Sequence, residues 1–219
     1  LQRMISTGLK LALMIGSAAA VGMGLLSHQI LRLLYASQPE NCLELGGQLL
    51  AIMSVGVLFL AVVQTTTGML QGLGKPSYPV KTLLVGIVAK TVLNYVLIGI
   101  PQINVLGAAI ATVVCYAIAA LGNVYMVLKL SKTKLKPVDA LVRPALAAGG
   151  MGAAVWGFVR LMGGRLGNTM LTLGAVCLGV LVYAVLAFVL RALSKEDLAL
   201  IPGGRRVARL MDKLGGKKA

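Results

Sequence analysis

The chain has 219 residues, 58% of them hydrophobic and 12% charged, with a mean hydropathy of +0.90. Soluble domains carry about 25% charged residues, so this composition excludes an ordinary water-soluble domain and indicates an integral membrane protein. Lys and Arg number 21 against 6 Asp and Glu, a net charge of +15, but the cations sit between apolar runs and in the tail, where they read as topology determinants and not as a nucleic-acid surface.

Six apolar segments follow in chain order, at residues 9–35, 45–71, 80–100, 105–130, 144–161 and 168–193. Each is long enough for a helix to cross a bilayer, the fifth only just. The runs are continuous and lack the alternation of barrel strands. The sequence therefore predicts an all-α fold, a polytopic membrane helical bundle of about six transmembrane helices over residues 1–193, followed by a basic tail at 194–219.

Small residues crowd the spans, as in Gly16-Ser-Ala-Ala-Ala-Val-Gly-Met-Gly24 and Ala145-Leu-Ala-Ala-Gly-Gly-Met-Gly152. They let helix backbones approach closely, and tight packing accounts for them. Loop charges set an orientation. Arg3, Lys10, Lys75, Lys81, Lys129, Lys132, Lys134, Lys136 and Arg143 fall on the side of both termini, while Glu40, Glu44, Arg160 and Arg165 fall on the other. Positive-inside counting then puts both termini in the cytoplasm. The chain starts at Leu1 and shows no signal-peptide pattern, so a fragment whose N-terminal part is missing is expected.

The tail carries its own pattern. Ser194-Lys-Glu-Asp197 reads as a helix cap with an acidic first turn, and Pro202-Gly-Gly204 breaks the chain. Val207, Leu210, Met211 and Leu214 then recur at helical spacing opposite Arg206, Arg209 and Lys213, with Arg205 at the start. A short basic amphipathic helix of this kind can lie on anionic membrane lipids; a frayed, solvated tail explains the same residues equally well.

The stretch from Pro79 to Pro101 holds the strongest functional signal. Its 21 intervening residues are nearly all apolar, yet Lys90 lies among them, with Asn94 one helical turn later. Lys90 is about 13 Å deeper than Lys81 at ~1.5 Å per residue. A cation at that depth costs about 3 kcal/mol or more unless water or a partner meets it.

Both neighbouring spans also carry polar stripes. Gln64, Thr67, Gly68 and Gln71 share one helix face in the second span, and Gly86, Lys90 and Asn94 share one in the third. Thr112, Tyr116, Ala119 and Asn123 do so in the fourth. Interhelical hydrogen bonding that fixes the bundle explains the Gln, Thr and Asn side chains as well as a substrate path does. For Lys90 a cavity-facing role is the better account, because a buried cation is costly as mere glue. His28, Tyr35, Trp156 and Tyr183 need no more than packing or interface anchoring.

No catalytic set is present. The six acidic residues all lie outside the six apolar segments, in the expected loops or the tail, so no intramembrane carboxylate pair is expected for acid–base work. No nucleophile triad, phosphate loop or metal-ligand spacing occurs, and Cys42, Cys115 and Cys177 are far apart. The expectation is a protein that is not an enzyme and uses no metal or cofactor.

The segment Gln64-Thr-Thr-Thr-Gly-Met-Leu-Gln-Gly-Leu-Gly-Lys-Pro76 is followed by Lys90-Thr-Val-Leu-Asn-Tyr-Val-Leu-Ile98 and Gly107-Ala-Ala-Ile-Ala-Thr112. In this order they resemble the MOP exporter superfamily, specifically its polysaccharide-exporter branch, which includes a sporulation protein and, more distantly, a lipid II flippase. Ser194-Lys-Glu-Asp-Leu-Ala-Leu-Ile-Pro202 is similar to the tail of that sporulation branch. The resemblance implies a two-lobed transporter of about fourteen helices that moves an anionic lipid-linked sugar by alternating access. The six spans here would be its ninth to fourteenth, with the N-terminal lobe of the same protein as their partner. The family's best-known essential residues lie in the part not present, so none transfers to this chain; Lys90 and Asn94 match positions of the family's helix pattern. A cation-coupled multidrug exporter of the same superfamily and a non-transporting membrane scaffold remain the alternatives.

Overall fold

The computed structural model describes residues 2–101, 103–132, 142–164 and 167–189. They form seven helices, here α1 (Gln2–Leu25), α2 (Ser27–Leu34), α3 (Glu40–Gly72), α4 (Ser77–Ile98), α5 (Val105–Ser131), α6 (Arg143–Met162) and α7 (Asn168–Val189). All but α2 are long and apolar enough to cross a membrane. No strand occurs among the described residues, and the expected all-helical bundle is what the chain forms.

The first apolar segment differs from its predicted bounds of 9–35. The spanning helix begins seven residues earlier, at Gln2, and ends at Leu25; Ser27–Leu34 is a separate short helix. Residues 2–8 are helical as well, since Ile5 is buried against Leu70 of α3 and Val127 of α5 and Arg3 is carried into the helix with it. The break falls just after Val21-Gly-Met-Gly24, where two glycines weaken the helix. Leu26 still donates to the Gly22 carbonyl and accepts from Ile30, so the chain bends with little hydrogen-bond loss. The sixth segment is described to Val189, and the tail with Arg205, Arg206, Arg209 and Lys213 lies outside the described residues.

The six long helices stand in the row α7, α6, α1, α3, α5, α4, each against its neighbours, with α2 lying between α3 and α7. Glycines set the close approaches. A methyl on Gly8 would come within 2.6 Å of Met69, and one on Gly24 within 2.9 Å of Ser54, so α1 and α3 run antiparallel. Gly86 presses on Cys115 and Gly107 on Leu97, which makes α4 and α5 antiparallel as well. The contacts of Val62 with Ala120 and of Leu70 with Val127 show that α3 and α5 run parallel.

Three core clusters result among the described residues, one of them Leu9 of α1 with Val62 of α3 and Ala120 of α5. Ile5, Leu70 and Val127 close the end of the bundle that holds the start of α1, with Tyr78 packed on them. Leu26, just past α1, meets Met151 and Val155 of α6 and Ala175 of α7 further along, with Ala18 and Val21 of α1 packed on them. On α4, Val80, Leu84, Val88 and Val92 recur every four residues and are all exposed. In water such a stripe would be an aggregation surface; in a bilayer it meets hydrocarbon.

Candidate functional site

The polar stripes converge on α3, α4 and α5, but they divide into two groups with different physical roles. Asn123 of α5 is fully buried. Its amide nitrogen reaches the Thr67 hydroxyl on α3 at 3.4 Å, and the Thr82 hydroxyl on α4 reaches its oxygen at 2.6 Å. Three helices thus meet at one amide, with every polar atom given a partner, as low-dielectric surroundings require. For Thr67 and Asn123 the structure supplies the interhelical bonding that the sequence left as one of two readings.

Thr82 is the member that sequence reasoning missed. It lies four residues before Gly86 and eight before Lys90, so the i, i+4 spacing already contained the signal. Its neighbours on α4 carry the apolar stripe, which masked it. Thr112 is satisfied on its own helix, donating to the Ala108 carbonyl at 2.8 Å. Tyr116 packs by its ring beside Gly56 of α3.

Lys90 and Asn94 behave otherwise. Lys90 is half-buried, about 20 Å along α4 from Ser77 and ~12 Å short of Ile98 at 1.5 Å per residue. It makes no ion pair or hydrogen bond among the described residues, and its charge falls on the nearby Cys115 thiol of α5. Asn94 has a buried amide oxygen with no hydrogen-bond partner among the described groups. A cation without a counter-ion and an amide oxygen without a partner thus lie one turn apart within one span. Gln64 and Gln71 of α3 are exposed, so they point away from the Asn123 node.

Two apolar clefts lie elsewhere. One of about 510 Å³ opens between α1, α6 and α7 beside Ala18, Met151 and Gly179. The other, about 430 Å³, lies between α2 and α3 beside Leu31 and Leu50. Neither is lined by Lys90 or Asn94. No group of three His, Cys, Asp or Glu that could hold a metal occurs among the described residues. The expected interface residues Tyr35 and Trp156 are exposed, whereas Tyr183 turns inward and donates to the Met14 carbonyl at 2.7 Å. His28 lays its ring over Gly47 of α3.

A row of apolar helices with a polar node and an unpaired mid-span cation defines a polytopic helical membrane protein. Residues 1–96, which include Gln64, Thr67, Gln71, Lys90 and Asn94, match the MatE family. The chain is similar to the "Uncharacterized membrane protein YabM" of Bacillus subtilis (strain 168), 26% identical over 214 residues that make up 94% of this chain and 38% of that protein. It is also similar to the "Probable multidrug resistance protein YpnP" of the same organism, 33% identical over 104 residues, 48% of this chain and 23% of that protein. The chain therefore spans well under two thirds of the length of either relative. No solved structure gives a significant match.

Proposed function

We propose that this bundle is the C-terminal part of an exporter that translocates an anionic lipid-linked oligosaccharide or cell-wall precursor across the bacterial cytoplasmic membrane by alternating access. The observation that carries the reading is Lys90, half-buried within α4 and without a counter-ion among the described residues. A protein that maintains such a charge in a span gives it water and an anion to meet, and a phosphate or pyrophosphate is a suitable one. Asn94, one turn away with an unpartnered amide oxygen, adds hydrogen-bonding capacity on the same stripe. In this reading Gln64 and Gln71, exposed on α3, belong to the same polar wall. In this reading the wall faces an N-terminal lobe of the same protein, and both termini of the bundle are cytoplasmic.

Lys90→Met in the full-length protein, reconstituted in proteoliposomes with a labelled lipid-linked oligosaccharide, tests it. Flipping should fall while protein level and fold hold, and Lys90→Arg should retain more activity than Lys90→Met. Undiminished flipping by the Met variant would refute the role.

A second reading rests on the similarity to the relative named as a probable multidrug resistance protein. There the bundle would serve cation-coupled efflux. Dye efflux driven by a sodium or proton gradient, with no movement of lipid-linked sugar, would favour it.

A further inference from the structure

One end of the bundle gathers the start of α1, the turn between α3 and α4, the end of α5 and the start of α6. The Gln2 amide donates to the Ser131 carbonyl at 3.1 Å and lies 3.4 Å from that of Lys132, which ties α1 to α5 there. Arg3, Lys75, Lys81, Lys129, Lys132 and Arg143 all sit at this end, and no Asp or Glu does among the described residues. The opposite end holds Glu40 and Glu44 with Arg32, and Arg32 pairs with Glu40.

Within the basic end, α5 presents an ordered series on one outward stripe. Leu121, Tyr125 and Lys129 recur at i, i+4 and i+8, with Leu121 68% and Tyr125 62% exposed. The Lys129 ammonium stands 5.8 Å from the centre of the Tyr125 ring. Lys132 follows three residues later, exposed and in the left-handed conformation (φ 51°) that ends the helix. Read outward from the hydrocarbon, the stripe is an aliphatic side chain, an amphipathic ring and then two ammonium groups.

We propose that this end of α5 binds an anionic phospholipid, with Lys129 and Lys132 taking the phosphodiester headgroup. Tyr125 then sits at the glycerol level and Leu121 lies against an acyl chain. The order of the side chains matches the order of chemistry in a phospholipid leaflet. The two lysines also favour the negative end of the α5 dipole, but that benefit is independent of lipid headgroup. The proposal stands apart from the transport reading, because it uses none of Lys90, Asn94 or Gln64.

The test is lipid retention by the purified chain, counted by native mass spectrometry after exchange into phosphatidylglycerol or phosphatidylcholine. Phosphatidylglycerol should be retained in preference. Lys129→Gln with Lys132→Gln should weaken that binding roughly thirtyfold, since each of the two surface cations contributes on the order of 1 kcal/mol. Tyr125→Ala, which leaves both charges, should weaken it as well, and circular dichroism checks that each variant keeps its helices. Arg160→Gln is the control, since Arg160 stands over Trp156 at the opposite end in a similar pairing. Equal retention of the two lipids, no loss in the double lysine variant, or equal loss in Arg160→Gln would overturn the proposal. Displacement of the lipid by millimolar inorganic phosphate would overturn it too, since the lysines would then be a free-phosphate site.

Discussion

The Thr82 hydroxyl lies 2.6 Å from the Asn123 amide oxygen, and this bond joins α4 to α5 inside the bundle. The hydroxyl has one proton and further acceptors on its own helix, the Pro79 carbonyl at 2.9 Å among them. Loss of Asn123 would therefore leave Thr82 a local fallback, while loss of Thr82 would leave the fully buried Asn123 with an orphaned oxygen. The two partners are unequal.

That bond gives the first prediction. Asn123→Ala should destabilise the bundle in detergent by about 1–2 kcal/mol, from a lost interhelical bond and a small cavity. A double-mutant cycle with Thr82→Val should show a coupling of about 0.6 kcal/mol, the average for such bonds between membrane helices. Strict additivity of the two changes would mean that the bond contributes nothing.

Glycine contacts give the second. A methyl on Gly86 would lie 2.7 Å from the Cys115 carbonyl oxygen and 3.0 Å from its sulfur. The carbonyl belongs to a helix backbone and cannot swing aside. Gly86→Ala should cost about 1–3 kcal/mol and separate α4 from α5. Gly68→Ala meets nothing within 4 Å and should be neutral or slightly stabilising. Equal thermal unfolding of the two variants would contradict this packing.

The third concerns α2. A methyl on Gly47 would come within 2.6 Å of the His28 ring. Gly47→Ala should destabilise the protein by forcing α2 off α3, and His28→Ala should restore much of the loss by vacating the space. Rescue is measured as the unfolding temperature of the double variant against the Gly47→Ala single variant. A double variant no more stable than that single variant would remove the contact from the account.

Topology supplies the fourth. Cys42 is exposed near the start of α3, beside Glu40, and Cys115 is buried. If the termini are cytoplasmic, an impermeant thiol reagent added outside should label Cys42 in the unaltered protein. With Cys42 replaced by Ser, it should label Glu40→Cys and Asn104→Cys and spare Lys75→Cys. Outside labelling of Lys75→Cys alone would invert the orientation.

Helix type and the number of spans were legible in the sequence because they depend on local composition. A run of about twenty apolar residues has to satisfy its backbone internally in lipid, and a helix does so without knowing its neighbours. The mid-span position of Lys90 was legible for the same reason, since depth along a helix needs only counting. Tertiary structure decided what composition could not. It made residues 2–8 part of the first helix, where Ile5 finds buried partners on α3 and α5. It divided the polar stripes, drawing Thr67 and Asn123 to an unforeseen Thr82 and leaving Gln64 and Gln71 facing outward. A stripe records which residues share a face, but the helix that covers the face lies far off in sequence. Whether a polar group binds helices together or is left to meet a substrate therefore depends on which neighbour covers it.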